Sequence, residues 1–284
     1  MQIEKFVDQF ELLAEAHGIT TAALLQRLER QDDDRPRWIA VENGRGIGVA
    51  SASMTPDRKV RLWLDCRDSI AYQPLVRAAS AAFRTDVYTS VSGSDLLLRR
   101  AFTAEGFRLD YTEDVFAARF TTAAVALRKA RLPDGFSLIT ADQADGRSWF
   151  TLDNTLRQDI RGNEGWRGDL KWFAEHTHGA SNFDPAAHII AVDDTNGEYA
   201  GLVRFWNRPG ASPRLGMLAV LRQYRGCGLG SALLARGVEV ASTWDHERFT
   251  GETAREATEM RALWIAMGGT ETDSRQTLVL RRGD

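Results

Sequence analysis

The sequence predicts an α+β protein built as two domains in tandem. Its 284 residues are long for one compact domain and sufficient for two of ordinary size. Runs with strand-like alternation and runs with helical spacing follow one another in both halves of the chain. A hydrophobic content of 43% beside 26% charged residues is typical of a globular protein and excludes a disordered chain. We place the two domains at residues 1–125 and 131–284.

The first domain begins with helices over residues 3–30, because apolar side chains such as Phe6 and Phe10 recur at helical spacing. A hairpin follows, since Asn43-Gly44 between two apolar runs is a strong signal for a two-residue turn. The later elements are predicted as a strand at 60–65, a helix at 71–83, a strand at 87–91, a helix from 95 to about 106 and a strand at 111–120. Residues 121–131 are predicted to be a linker.

The second domain is predicted to repeat this kind of order. Gly197 follows Asp194-Thr195-Asn196 between two apolar runs and indicates another hairpin. The elements are predicted as a strand at 136–139, helices at 145–157 and 170–178, hairpin strands at 188–192 and 198–206, a strand at 215–221, a helix to 241, a strand at 248–250, a helix at 254–267 and a strand at 277–280.

Charge and composition exclude several classes of function. A net charge of −3 and a pI near 6.0 give no overall basic field for nucleic acid or anionic lipid, so neither is expected as a partner. The cysteines, Cys66 and Cys227, are too few for a disulfide framework or a cysteine-rich metal site. No apolar run approaches the ~18 residues of a membrane span, and the first residues lack the features of a signal peptide. A cytoplasmic location is therefore expected.

Three glycines dominate the stretch on which the functional interpretation rests. Gly226, Gly228 and Gly230 lie between the apolar run 217–221 and a helix-like run. Glycines at alternate positions have no Cβ atoms, so a ligand can approach the backbone N–H groups closely. The N-terminus of the following helix adds the positive end of the helix dipole, and the stretch therefore predicts an anion site. A Walker A loop is excluded because no lysine follows Gly230, and the GxGxxG spacing of dinucleotide folds does not fit. A plain glycine turn before an amphipathic helix is the alternative.

The spacing that does fit is Q/R-x-x-G-x-G/A, read as Arg225, Gly228 and Gly230. It resembles the acetyl-CoA-binding motif of the GNAT superfamily of N-acetyltransferases, and the order of elements in the first half is similar to the GNAT order as well. The resemblance implies two tandem GNAT-like domains, each a mixed, mostly antiparallel sheet flanked by helices. Because residues 66–70 contain no glycine, we read the first domain as a degenerate copy without a cofactor loop; an unrelated α+β domain is the alternative.

The resemblance implies acetyl-CoA as co-substrate and no metal. The pyrophosphate would lie on the N–H groups of the glycine loop, and the pantetheine arm would pair with the preceding strand like an added strand. The Val220 N–H would donate to the acetyl carbonyl oxygen as an oxyanion site. The implied cofactor-binding residues are Leu218, Ala219, Val220, Arg225, Gly226, Cys227, Gly228, Leu229, Gly230 and Ser231, with Cys227 as a spacer at a variable position.

The acid and the base of the reaction are less well marked. In the family register, Trp264 stands where the tyrosine acid is usual, and an indole N–H does not ionise near neutral pH. The strand 214–221 contains no carboxylate, so the base is unknown. His176, His178, Asp159, Glu164 or a chain of water molecules are the candidates, and the alternative for each side chain is a solvated loop charge.

The acceptor pocket is expected between residues 153 and 178, with Asp159, Glu164 and Trp166 as weak candidates for substrate binding. The alternative interpretation of these residues is helix packing and surface charge.

The sequence thus predicts an N-acetyltransferase acting on a primary amine of a small molecule by direct attack. A sensor or scaffold that binds acyl-CoA with little or no turnover is the second hypothesis. A protein acceptor is a third, which no sequence feature supports. The chain is expected to be a monomer or a homodimer.

Overall fold

The computed structural model describes residues 1–31 and 35–283. The chain divides into two compact units: unit 1 consists of Met1–Thr112 with the segment that begins at Ser274, and unit 2 of Glu113–Asp273. These units differ from the consecutive domains drawn from the sequence because two long strands pass from one unit to the other. Strand β6 (Arg108–Arg119) leads the chain into unit 2, and strand β12 (Thr270–Leu280) leads it back.

Unit 1 is a six-stranded mixed sheet flanked by helices. Its strand order is β1-β2-β3-β4-β5-β12, in which only β4 and β5 are parallel among the described strands. The strands are β1 (Gln2–Lys5), β2 (Arg37–Glu42), β3 (Arg45–Met54), β4 (Val60–Cys66), β5 (Val87–Ser92) and the end of β12. The helices are α1 (Phe10–His17), α2 (Thr21–Gln31), α3 (Tyr72–Ala81) and α4 (Leu96–Ala104).

The start of unit 1 corrects one prediction and confirms another. Residues 2–5 form β1 rather than a helix, because they pair with β2 in a register that sets Ile3 opposite Ala40. Pairing with a neighbouring strand outweighs the helical spacing, which begins only at Phe6. The hairpin predicted at Asn43-Gly44 is confirmed: both residues have positive φ, 51° and 74°, as a two-residue turn of this kind requires.

Unit 2 repeats the architecture of unit 1. Its strand order is β7-β8-β9-β10-β11-β6, antiparallel throughout except for β10 and β11. The strands are β7 (Phe136–Thr140), β8 (His188–Asp193), β9 (Tyr199–Trp206), β10 (Arg214–Val220) and β11 (Arg248–Ala254). The helices are α5 (Phe120–Leu127), α6 (Gly146–Arg157), α7 (Leu170–His176), α8 (Leu229–Ala241) and α9 (Thr258–Ala266). The predicted α+β class, with mixed and mostly antiparallel strands flanked by helices in each unit, is confirmed.

Helix α5 replaces the linker predicted at residues 121–131. Phe120, Ala123 and Leu127 recur at helical spacing, and all three are buried in one hydrophobic cluster with side chains of α8 and α9. The helix therefore belongs to the core of unit 2 rather than to an exposed connection. Within the described residues, no helix combines the length and the apolar character that crossing a membrane requires.

Candidate functional site

The candidate site of unit 2 lies where strands β10 and β11 separate. The two strands pair in parallel only at Arg214 with Thr250 and at Leu215 with Gly251. Beyond that point β11 stays paired with β6, while β10 continues beside β9 as far as Val220. A bulge after Leu215 accompanies the separation, and bulges bend the strand that carries them. The carboxyl ends of the two strands therefore diverge and leave an opening between them.

The edge of β10 that faces this opening carries backbone groups that no described strand pairs with. The Leu221 N–H donates to the Ala200 carbonyl of the β9 side (2.8 Å). Because hydrogen-bonded and non-hydrogen-bonded pairs alternate in an antiparallel ladder, the N–H and C=O groups of Leu218 and Val220 point away from β9. This edge can accept an extended chain of amide groups as an added strand.

The glycine loop closes the same opening at its end. Gly226 and Gly228 have φ values of 82° and 94°, a region that side chains with a Cβ rarely adopt, and no described atom lies within 4 Å of a Cβ built at either position. The first intrahelical bond outside the loop runs from the Ala232 N–H to the Gly228 carbonyl (3.1 Å). No side chain that the structure describes caps the start of α8. The N–H groups of the first turn are therefore available to an anion.

The edge and the loop line one cavity of about 360 Å³. Every residue implied by the GNAT resemblance lines it except Cys227, and Tyr224 and Leu263 complete the wall. Such a volume is within the range of small-molecule sites. The open cradle at Gly226 and Gly228 fits a phosphate, and the free edge of β10 fits an amide arm, so these residues suit coenzyme A. Among the residues described, no group of three or more His, Cys, Asp and Glu side chains could hold a metal ion.

Asp159, one of the candidates for the base, lies beside the loop and is bound by two arginines of the turn before α8. Its carboxylate accepts hydrogen bonds from Arg222 Nη2 (2.5 Å) and from Arg225 Nη2 (2.7 Å). These two guanidinium groups, the Arg222 group first, hold the pKa of the Asp159 carboxyl below its ordinary value despite partial burial. A carboxylate with a lowered pKa and two cationic partners has little tendency to take a proton from an amine.

The other two candidates for acceptor binding do not line the cavity. Glu164 is exposed, and its carboxylate accepts a hydrogen bond from the Gly162 N–H (3.0 Å) within its own loop. Trp166 is only 6% exposed, and the Arg157 guanidinium lies 4.6 Å from its ring centroid. Glu164 thus bonds within its own loop and Trp166 packs against Arg157, while a role of either toward the acceptor stays a prediction.

The two candidate histidines are held by aromatic side chains. The His176 ring stacks on Trp172 with centroids 4.2 Å apart, and its Nδ1 lies 2.9 Å from the Trp172 carbonyl oxygen. His178 lies edge-on to Trp149 at 5.0 Å and to Phe183 at 5.3 Å. In the part of the chain that the structure describes, neither histidine is among the residues that line the cavity.

Trp264 is a core residue of unit 2. Its side chain is fully buried and stacks on Phe116 with centroids 5.6 Å apart, and its indole N–H has no acceptor among the described residues. A Cβ at Gly251 would lie 2.6 Å from the indole ring, so the strand approaches it closely. The residue of α9 that reaches the cavity is the neighbouring Leu263. Neither side chain can donate a proton to a leaving thiolate.

Sequence reasoning missed a carboxylate at the point of divergence. Glu252 of β11 follows the last β10–β11 pair, and its side chain forms an ion pair with Arg214 of β10. Strand β10 itself has no carboxylate, and the pairing of β10 with β11 is the signal that would have pointed to this one. The side chain of Glu252 is 15% exposed.

The corresponding loop of unit 1 is built differently. Between β4 and α3, the Asp68 carboxylate accepts a hydrogen bond from the Ile70 N–H (3.0 Å). A carboxylate of the chain itself thus occupies the N–H group of this turn and would repel an external anion. This geometry supports the reading of unit 1 as a copy without a cofactor loop.

Cys227 is exposed, and its thiol donates to the Tyr224 carbonyl (3.2 Å). We expect Cys227→Ala to change the Kd for coenzyme A by less than about threefold, because exposed single hydrogen bonds contribute little. Isothermal titration calorimetry of both proteins measures the change. A loss of more than about tenfold would show that the thiol takes part in binding.

One family model matches part of the chain. Residues 149–268 match the model of the acetyltransferase (GNAT) family, a range that contains β8 to β11, the glycine loop and α9. The resemblance drawn from the glycine motif is thus confirmed. No curated protein matches the sequence.

Solved structures share the fold over the whole chain. A GCN5-related N-acetyltransferase from Sphaerobacter thermophilus is 14% identical, with a TM-score of 0.72, and the match covers 99% of this chain and 96% of that one. A tandem GNAT protein from the clavulanic acid biosynthesis pathway is 17% identical, with a TM-score of 0.70 and coverage of 100% and 99%. At these identities the likeness establishes the fold, which is that of tandem GNAT proteins.

Proposed function

We propose that this chain, which carries a domain of the GNAT acetyltransferase family at residues 149–268, transfers the acetyl group of acetyl-CoA to a primary amine of a small molecule. The observation that carries the proposal is the cavity that joins the open edge of β10 to the glycine loop and the start of α8. The glycine loop is an anion cradle that matches the phosphate part of coenzyme A. The adjoining edge of β10 can pair with an amide chain and matches the pantetheine part.

Acetyl-CoA would supply the activated thioester. The N–H groups from Gly226 to Ser231 would hold its pyrophosphate, helped by the positive end of the 13-residue helix α8. The outward N–H and C=O groups of Leu218 would align the arm along β10, because the Val220 carbonyl already accepts a hydrogen bond from Arg225 Nε. Alignment of this kind fixes the reacting carbonyl relative to the acceptor, which is a large part of catalysis by positioning.

The Val220 N–H is the proposed donor to the acetyl oxygen, whose negative charge grows as the amine attacks. The attacking amine must be neutral, and its proton would leave through water or a carboxylate. A thiol has a pKa of about 8.5, so the leaving thiolate is tolerated near neutral pH. The reaction can thus proceed with Trp264 and Leu263 at the positions where an acid is usual.

A second function has one observation in its favour. Because α9 presents Leu263 to the cavity and buries Trp264, no proton donor of this helix is among the described residues that line the site. A protein that binds acyl-CoA as a sensor or scaffold, with little or no turnover, would need none. The cytoplasmic location and the monomeric or homodimeric state stay predictions from the sequence.

Thiol release from acetyl-CoA separates the two functions. We expect release above background with at least one member of a panel of small primary amines and aminoglycosides, followed with a chromogenic thiol reagent. Binding of coenzyme A is measured in parallel by calorimetry. Saturable binding without release for any amine or peptide would favour the sensor, and the absence of binding would contradict both functions.

A further inference from the structure

The end of α6 is tied to the cofactor loop through one carboxylate. Asp159 follows α6, and its carboxylate accepts hydrogen bonds from Arg222 Nη2 (2.5 Å) and Arg222 Nε (3.2 Å). The same carboxylate accepts a hydrogen bond from Arg225 Nη2 (2.7 Å). Two arginines from the short turn between β10 and α8 therefore converge on a carboxylate that lies more than sixty positions earlier in the sequence.

Arg225 makes a second bond on its other side. Its Nε donates to the carbonyl of Val220 (2.8 Å), the last residue of β10. A guanidinium is planar and its donors have fixed directions, so two partners on different donors fix its plane. Arg225 also lines the cavity and precedes Gly226, the first glycine of the loop. The path of the backbone from Val220 into the loop thus depends on a guanidinium that Asp159 holds.

The exposures of the three side chains fit this arrangement. Asp159 is 24% exposed, whereas Arg225 is 48% and Arg222 79% exposed. The carboxylate is the more buried member of the cluster, whereas the two arginines are more exposed and Arg225 also lines the cavity. Charge-assisted hydrogen bonds with a partly buried acceptor are stronger than exposed ones.

We propose that Asp159 is a positioning residue for acetyl-CoA: by holding Arg225 and Arg222 it sets the geometry of the loop whose N–H groups bind the pyrophosphate. The inference rests on the proposed function, because it assumes that coenzyme A occupies the cavity. It assigns Asp159 a role in place of those expected from the sequence, namely general base or contact to the acceptor. Asp159 acts through Arg225 and does not itself touch the reacting atoms.

The test is Asp159→Asn, which keeps the size of the side chain and removes its charge. We expect the Kd for coenzyme A and the KM for acetyl-CoA to rise about tenfold, since two charge-assisted bonds weaken together. We expect kcat to stay within about twofold, because no group that takes part in the chemistry changes. Asp159→Glu should recover most of the lost affinity, as it restores the carboxylate.

Asp145→Asn is the matched control. Asp145 caps the other end of α6, where its side chain accepts from the Ser148 N–H (2.8 Å). Asparagine caps helices as well as aspartate does, and the change in charge is the same. Its Kd for coenzyme A should equal that of the wild type within about twofold.

Arg225→Lys covers the case in which Asp159→Asn folds poorly, a defect that thermal unfolding reveals. Lysine cannot hold Val220 and Asp159 together, so the same rise in Kd is expected. Where both variants fold, the double variant should bind no more weakly than the weaker single variant, because both remove one linkage.

The outcomes separate this inference from the proposed function. A wild-type chain that does not bind coenzyme A contradicts the cofactor assignment itself. Wild-type binding with an unchanged Kd in Asp159→Asn and in Arg225→Lys overturns only the positioning role. In Asp159→Asn, turnover that falls by about 100-fold or more at constant KM also overturns it, because that pattern is expected of a general base. Tighter binding in Asp159→Asn overturns it as well, since the carboxylate would then compete with phosphate for the arginines.

Discussion

Gly228→Asp is expected to abolish binding of coenzyme A, with a rise in Kd of at least about 100-fold. The residue begins α8 with φ of 94°, and no described atom lies within 4 Å of a Cβ built there, so the new side chain would extend into the open cradle. A carboxylate would then stand where the pyrophosphate is proposed to lie, and like charges in contact cost several kcal/mol. Isothermal titration calorimetry with coenzyme A measures the loss.

Gly210→Asp is the matched control for this variant. Gly210 lies in the connection between β9 and β10, has φ of 78°, and likewise has no described atom within 4 Å of a built Cβ. The substitution introduces the same charge and a similar backbone penalty outside the cavity. Its Kd should stay within about twofold of the wild type. Equal affinity in Gly228→Asp would remove the glycine loop from the cofactor site.

Trp264→Ala is expected to lower the free energy of unfolding by about 3–5 kcal/mol. The indole is fully buried between α9 and the strands of unit 2, stacks on Phe116 (5.6 Å) and lies against Phe249 at a tilt (5.4 Å). Its removal leaves a large cavity that the surrounding strands and helix can fill only in part. Chemical denaturation followed by circular dichroism measures the difference.

The control lies one residue further along the same helix. Ile265 is 63% exposed, so Ile265→Ala should change the free energy of unfolding by less than about 0.5 kcal/mol. If Trp264 acts only by packing in the core, Trp264→Phe should lower the free energy of unfolding while kcat stays within about threefold. A stable Trp264→Phe protein whose kcat falls more than tenfold would show that the indole acts in the reaction.

The glycine loop could be predicted from the sequence because its signal is local. The positions of Arg225, Gly228 and Gly230 relative to one another determine the shape of the turn, and a strand before it and a helix after it follow from short-range patterns. The Asn43-Gly44 turn was predictable for the same reason: both residues must adopt positive φ, and this dipeptide does so readily.

The features that could not be predicted depend on contacts between distant parts of the chain. Strand β1 exists because it pairs with β2, more than thirty positions later in the sequence. The Asp159 cluster joins the end of α6 to the turn before α8, and single-sequence patterns carry no information on that distance. Trp264 illustrates the same limit: its place in the family register did not reveal that it points into the core, while Leu263 lines the cavity.

The two strands that pass between the units determine the order in which each unit can be completed. Unit 2 is one continuous stretch, Glu113–Asp273, and the residues through which its six strands pair all lie within it, those of β6 being 113–119. Unit 1 obtains its sixth strand only from residues after Ser274, which pair with β5. Because synthesis proceeds from the N-terminus, the edge of β5 that pairs with β12 stays unpaired until the residues of unit 2 have been synthesised. The paired residues of all six strands of unit 2 are therefore synthesised before unit 1 receives its sixth strand.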